Sequence, residues 1–252
     1  IQCTVTMSAG TEEYPYQETE TLNLDLTLSQ FGFPLDGIVV KSSPIVSDLN
    51  GDGTKEIYFG SDNEALFGYN SFGEQINGFP FQSTDRVRSS PAVGDVDNDG
   101  QMEIIFGNSA GKLYIVNHDG AQQLAYTILG FIEGTPALVD IDGDQDLEIA
   151  FTTTTTSGGQ LYVIHHNGIT MSGFPKELGQ MWTGPAIHDI DNDGSYDVVC
   201  ATYDKEVYAI DVNGGAIKTG FPVTVEGKFD ISPTIVDVDG DGDYEIAVGS
   251  ND

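Results

Sequence analysis

The sequence predicts an all-β chain built from four-stranded antiparallel sheets, and three observations carry that prediction. Five segments align without gaps: SPIVSDLNGDGTKEIYFG from Ser43, SPAVGDVDNDGQMEIIFG from Ser90, TPALVDIDGDQDLEIAF from Thr135, GPAIHDIDNDGSYDVVCA from Gly184 and SPTIVDVDGDGDYEIAVG from Ser232. Between them run short β-branched and aromatic stretches punctuated by Gly, Asn and Asp, the pattern of strands and turns. No amphipathic helical pattern interrupts them. The first acids of the repeats, Asp48, Asp95, Asp140, Asp189 and Asp237, are spaced by 47, 45, 49 and 48 residues. Four short strands recurring at that period are the mark of a β-propeller blade, so the expected fold is a β-propeller of five four-stranded blades.

Each unit reads as four strands, A to D. Strand A ends at the first Asp, and B starts at the last acid of the loop, as in EIYFG and EIIFG. Strand C is the apolar run of LFGYNSFGEQINGFPF, LYIVNHDGAQQLAY, LYVIHHNGITMSGFPKEL and VYAIDVNGGAIKTGFPV, followed by a turn and by D, often opened by Gly-Phe-Pro. Residues 1–18 form an N-terminal segment and 19–252 the propeller, with blade cores starting near 43, 90, 135, 184 and 232. The fifth unit reaches Asp252 after A and B alone. Thr21–Leu28 and the Gly-Phe-Pro segment Gln30–Gly37 suit its missing C and D, so residues 19–37 are expected to complete the last blade and close the ring. The rival arrangement is a piece of a longer propeller behind an upstream β-domain. Starting at Ile1 with no basic and apolar leader, the chain reads as a processed protein or a fragment.

Forty acidic residues stand against nine basic ones, for a net charge of −31. Nucleic acid is excluded as a partner, because phosphate binding needs clustered Lys and Arg. The acids lie at fixed places between apolar runs, which argues for a neutralising cation rather than for disorder. No apolar run approaches the roughly 18 residues of a membrane span, so membrane insertion is not expected. Two cysteines are too few for a disulfide scaffold. Cys200 reads as a small buried hydrophobe, although the sequence leaves a Cys3–Cys200 bridge open.

The chemistry sits in the A–B loops. Counted from the first Asp, positions 1, 3, 5 and 9 are Asp48, Asn50, Asp52 and Glu56; Asp95, Asp97, Asp99 and Glu103; Asp140, Asp142, Asp144 and Glu148; Asp189, Asp191, Asp193 and Asp197; and Asp237, Asp239, Asp241 and Glu245. Alternate residues of a tight loop point inward and can supply the hard oxygen ligands that calcium requires. The carbonyl at position 7, from Thr54, Gln101, Asp146, Ser195 and Asp243, can add another. An EF-hand starts in the same way but needs a glutamate at position 12 and flanking helices. Position 12 here is Phe59, Phe106, Phe151, Cys200 and Val248, all in expected B strands, so the EF-hand is rejected. Position 6 is glycine for the sharp turn except in loop three, where Gln145 predicts a weaker or distorted site. Loop one, with Asn50 and neighbouring Lys55, has three carboxylates and is also expected to bind less tightly.

With these loops in place, the five units resemble FG-GAP (VCBS-type) repeats, the calcium-binding propeller units of integrin α-chain heads. The motif D-x-D/N-x-D-G-x-x-D/E is matched at four of the five loops, Phe59-Gly60 and Phe106-Gly107 match the name, and the resemblance covers about residues 30 to 252. It implies up to five Ca²⁺ ions on one face, ligated by the residues above, which would move the charge from −31 to −21. Extracellular modules bind calcium at roughly 10⁻⁴–10⁻³ M, an affinity useful outside cells, and the ions are read as structural. The resemblance also implies a secreted or cell-surface protein that serves adhesion or recognition of a protein or glycan. The alternatives are a spacer or assembly subunit of a larger surface or filament protein, or the non-catalytic domain of a secreted hydrolase.

No nucleophile–base constellation is visible, so no enzyme is expected. His118, His165, His166 and His188 read as satisfied structural histidines, and the loop carboxylates are already committed to metal. A single tryptophan argues against quinone-cofactor propellers, and Thr152–Gly159 reads as a B–C edge or loop. The face away from the calcium loops, made of B–C and D–A connections, carries most of the basic residues. Arg86, Arg88, Lys176, Trp182, Lys228 and Phe229 are the candidate ligand contacts there, with Met181 nearby.

Overall fold

In the computed structural model, residues 2–11, 14–23, 32–33 and 35–251 are described. The chain divides into two compact units, Ile1–Asp36 and Gly37–Asp252. The first contains an antiparallel hairpin of β1 (Gln2–Thr11) and β2 (Tyr14–Asn23), in register from Gln2↔Asn23 to Thr11↔Tyr14. Thr21 to Asn23, expected in the last blade, pair here with Thr4 to Gln2. The rest of that expected C strand and the start of D, residues 24–31, lie outside the described residues, so ring closure remains an expectation.

The second unit is a series of antiparallel sheets in the predicted order A-B-C-D. The first sheet is β3 (Ile45–Ser47), β4 (Glu56–Ser61), β5 (Ala65–Tyr69) and β6 (Phe81–Gln82); the second is β7 (Ala92–Gly94), β8 (Glu103–Gly107), β9 (Lys112–Asn117) and β10 (Gln122–Thr127). The third is β11 (Ala137–Val139), β12 (Glu148–Thr152), β13 (Gly159–Ile164) and β14 (Lys176–Leu178); the fourth is β15 (Ala186–His188), β16 (Asp197–Ala201), β17 (Glu206–Asp211) and β18 (Val223–Thr224). In the fifth unit, β20 (Thr234–Val236) pairs with β21 (Glu245–Ala247), and β19 (Lys228–Phe229) with β22 (Ser250–Asn251), so A and B are present as expected. The position-12 residues lie in B strands in the first four units, whereas Val248 falls just past β21.

The sheets stack because each B strand is apolar on both faces. In β8 every residue is buried. Ile104 and Phe106 pack toward Tyr58, Leu66 and Phe79 of the first sheet. Ile105, between them, points the other way onto Ile149, Phe151 and Tyr162 of the third. The same period-two division joins Ala150, Leu161 and Val163 to Val198, Cys200 and Ile210, and Val199 and Ala209 to Ile235 and Ile246. No sheet buries its faces alone, so stability comes from neighbour contacts. Cys200 is buried in this core with a free thiol, which burial pushes up to about 12; it packs as the hydrophobe expected.

The Phe-Gly glycines have a steric job. The connection leaving each of the first two sheets crosses the end of that sheet's own B strand, Val87 N–H donating to Ser61 O at 2.9 Å and Ile132 N–H to Asn108 O at 3.1 Å. A Cβ on Gly60 would lie 2.5 Å from Val87 O, and one on Gly107 would lie 2.2 Å from Ile132 Cγ2. Phe106→Ala should therefore lower unfolding free energy by about 3–5 kcal/mol through the cavity it leaves. Gly107→Ala should cost about 1–3 kcal/mol by overpacking. Urea denaturation followed by circular dichroism measures both.

Candidate metal centres

All five loops share one backbone frame. Position 6 has positive φ throughout: Gly53 87°, Gly100 88°, Gln145 80°, Gly194 87° and Gly242 95°. So does position 4, at Gly51, Asn98, Gly143, Asn192 and Gly240. The sequence carried that second signal, glycine or asparagine at every position 4, because these residues tolerate left-handed backbone.

The first Asp is occupied in holding this frame. Asp95 Oδ1 accepts from Asp99 N–H at 3.0 Å and Oδ2 from Gly100 N–H at 3.0 Å. Asp48 and Asp189 accept in the same way, whereas Asp140 and Asp237 take the N–H groups of positions 4 and 6. The position-5 carboxylates of all five loops accept the N–H of position 7, at 2.8 Å in Thr54→Asp52 and Gln101→Asp99. At position 9, one oxygen of each closing acid accepts the N–H of position 2, from Leu49, Val96, Ile141, Ile190 and Val238.

The oxygens the backbone frame leaves over are the second oxygens at positions 5 and 9 and those of position 3, of which Asn50 and Asp142 also accept the N–H of position 5. Glu56, Glu103, Glu148 and Asp197 are 3%, 1%, 0% and 0% exposed, sealed under the loop by the C strand; Glu245, whose β21 pairs only with β20 among the described strands, is exposed. The second oxygen of each buried acid meets a different fate. Glu103 Oε1 is buried without a hydrogen-bond partner, as is Asp97 Oδ1 beside it. Glu56 Oε1 meets the Thr54 hydroxyl at 3.4 Å and Glu148 Oε1 meets His165 Nδ1 at 2.9 Å, while Asp197 Oδ1 is 3.3 Å from Lys218 Nζ as an ion pair without a hydrogen bond. Burial pushes Glu103 up to about 7, opposed by the Val96 N–H and reinforced by Asp97, Asp99 and Asp95. Burial likewise raises Glu56, Glu148 and Asp197.

This is a donor set that fits a hard cation. Ligand oxygens of Asp95, Asp97 and Asp99, of Asp140, Asp142 and Asp144, of Asp189, Asp191 and Asp197, and of Asp237, Asp239 and Glu245 each lie within 4.8 Å of one another. In the third unit Asp142, Glu148 and His165 form a further such group, so an imidazole nitrogen joins that set. His165 Nδ1 bonds to Glu148 as expected of a satisfied structural histidine, whereas His166 Nδ1 lies 3.1 Å from Asp146 without a hydrogen bond and His118 Nδ1 is buried without a hydrogen-bond partner, against that expectation. Gln145 carries the expected left-handed strain, while Lys218 was not foreseen.

The opposite face is only partly as expected. Trp182, 39% exposed, stacks on Phe131 with ring centroids 6.5 Å apart; Arg86 is exposed beside Asp85. Arg88 is held by Asp62 at 2.8 Å and by Glu133, and Lys228 lies 3.9 Å over the Tyr203 ring. Phe229 and Met181 are buried in the core because the β-stack needs them, which removes both as surface contacts. Lys176 opens β14 level with Leu161 and Thr152, and its stem packs on Gly215 of the neighbouring C–D turn.

The fold and loops together define a β-propeller-like repeat protein with acidic A–B hairpins. Within that class, residues 48–106 match the FG-GAP-like repeat model. Similar folds occur in the Vibrio cholerae biofilm matrix protein Bap1 (TM-score 0.62, 21% identity, 83% of this chain and 35% of that one). They also occur in the C-terminal domain of Pseudomonas aeruginosa PilY1 (0.60, 12%, 79% and 53%) and in Moraxella catarrhalis BamB (0.52, 18%, 78% and 55%). The chain thus spans between a third and just over half of these proteins. No curated protein matches the sequence.

Gln145→Gly should stabilise the protein by about 1 kcal/mol, read as a higher urea midpoint, because it relieves a left-handed non-glycine residue. Glu103 gives a pH signature. A carboxyl raised in the folded state contributes stability below its unfolded value of 4.5 and loses it as pH rises through about 7. The metal-stripped protein should therefore melt at lower temperature at pH 8 than at pH 5, and Glu103→Gln should flatten part of that slope.

Proposed function

We propose that this chain is a calcium-binding, extracellular β-propeller module, non-catalytic, whose ions hold its blades and whose opposite face recognises a protein or glycan. The observation that carries the calcium reading is the buried Glu103, whose Oε1 is unpartnered beside Asp97 Oδ1. An unpaired buried carboxylate oxygen is costly. Oxygen-only donors at alternate positions of a short loop select a hard cation, and calcium accepts this irregular geometry better than magnesium. When bound, calcium would supply the charge that the loop carboxylates lack. Asp95, Asp97, Asp99 and Glu103, and their counterparts at positions 1, 3, 5 and 9 of the first, third and fifth loops, would hold it with the position-7 carbonyls.

The recognition reading rests on the exposed Phe131–Trp182 stack on the face away from the loops, since aromatic surfaces bind sugars and apolar side chains at low entropic cost. The extracellular reading follows from the affinity such loops reach and from the family's usual setting; one protein of similar fold, Bap1, is a biofilm matrix protein. Among the described residues no helix is long and apolar enough to cross a membrane. A second reading, an assembly subunit, is favoured by the fifth unit, where Val236 and Val238 stand exposed and β21 pairs only with β20 among the described strands. Completion of that unit by residues 19–37 belongs to the first reading.

Chelation should lower the melting temperature by 10 °C or more on the order of several kcal/mol of linked binding energy. Asp99→Ala should lower it further in calcium than Asp144→Ala does, because the third loop is already strained. A melting curve indifferent to chelator refutes structural calcium. Phe131→Ala with Trp182→Ala should abolish capture on a glycan or extracellular-matrix array while leaving the melting temperature within a few degrees; unchanged capture refutes recognition through this face.

A further inference from the structure

The fourth loop differs from the others in containing a cation of the chain's own. Lys218, between β17 and β18, reaches across the end of its sheet and places Nζ 2.7 Å from Asp191 Oδ2, 3.0 Å from Asp193 Oδ2 and 3.3 Å from Asp197 Oδ1. These carboxylates occupy positions 3, 5 and 9. Their counterparts in the second loop include Asp97 Oδ1 and Glu103 Oε1, which have neither a hydrogen bond nor a cation, whereas Asp197 Oδ1, also without a hydrogen bond, has the ammonium at ion-pair distance. An ammonium has three N–H donors, and here three carboxylates face it.

The position of Lys218 in its strand is a second, independent observation. Its backbone N–H donates to Ala209 O at 2.9 Å, the bond that Ile76 makes to Gly68 O in the first unit and Met171 makes to Val163 O in the third. Ile76 and Met171 are partly buried in the core. At this place the fourth unit has a lysine whose side chain is 14% exposed. An apolar residue would satisfy the packing, so the charge needs another reason, and the acids of the loop provide it. Burial opposes the charged form of Lys218, and the three carboxylates more than offset it, raising its pKa above the ordinary lysine value. The ammonium is therefore permanent at neutral pH rather than a switch.

We infer that Lys218 is the resident cation of the fourth loop, closing that A–B hairpin without metal and excluding a divalent ion from it. The inference rests on the calcium reading for the other loops and adds that the sites are unequal by construction. The fourth hairpin would hold its shape at any calcium concentration, giving the stack one blade that is closed before the protein meets the ion. A metal could enter only by displacing the ammonium from three carboxylates, one of them the fully buried Asp197.

The test compares metal-stripped wild type with Lys218→Met, which supplies the side chain found at the same place in the third unit, and with Lys218→Arg, which keeps the charge. Calorimetric calcium titration should give one ion more per chain in Lys218→Met than in wild type, and no gain in Lys218→Arg. Hydrogen exchange in chelator should show the Asp193 and Gly194 amides, both bonded to Asp189, protected at least tenfold better in wild type than in Lys218→Met. Equal calcium counts in wild type and Lys218→Met, with equal exchange, overturn the inference. If neither protein binds calcium, the calcium reading fails, and the exchange comparison alone decides Lys218: lost protection in Lys218→Met supports the internal cation, and unchanged protection overturns it.

Discussion

A carboxylate at the buried start of a β-strand is the constraint on which the rest of this molecule depends. Glu56, Glu103, Glu148 and Asp197 each begin a B strand, each lie under a C strand, and each use one oxygen to hold the backbone of position 2. A buried acid with one satisfied oxygen demands something positive or at least a donor for the other. The loop above it, with acids at positions 3 and 5, is arranged to provide a cation site. The hairpin and its ion are thus a single device: the strand buries the acid, and the acid requires the loop.

The four units answer this demand differently. The second leaves its oxygen open, the first offers a hydroxyl, the third an imidazole, and the fourth an ammonium at ion-pair distance without a hydrogen bond. Identical loop frames therefore do not make identical sites. The difference comes from the C strand and the C–D turn, which share the loop's end of the sheet and bring His165 and Lys218 beside acids 17 and 21 residues earlier in the chain. In the fifth unit those elements are missing from the described strands, and Glu245 stands exposed.

The stack itself follows from simpler rules. Residues of alternate parity along each B strand serve different neighbours, as Ile105 and its flanking Ile104 and Phe106 show. The Phe-Gly pair divides two tasks: the phenylalanine fills a face, and the glycine lets the outgoing connection cross the strand end at hydrogen-bond distance.

What the sequence by itself determined is what local pattern can encode. Repeat period, strand order, loop positions and the rejection of an EF-hand were all legible, because apolar alternation and the spacing of Asp and Gly are properties of neighbouring residues. The left-handed position 4 was legible too, in its alternation of Gly and Asn, though position 6 drew the attention. Tertiary structure alone decided which carboxylate oxygens are left unpartnered, and that Phe229 and Met181 face the core rather than solvent. It also decided that Lys218 sits among Asp191, Asp193 and Asp197. Each of these depends on which end of a sheet a distant turn reaches and on how deeply the next sheet buries it, and neither is written in the spacing of residues along the chain.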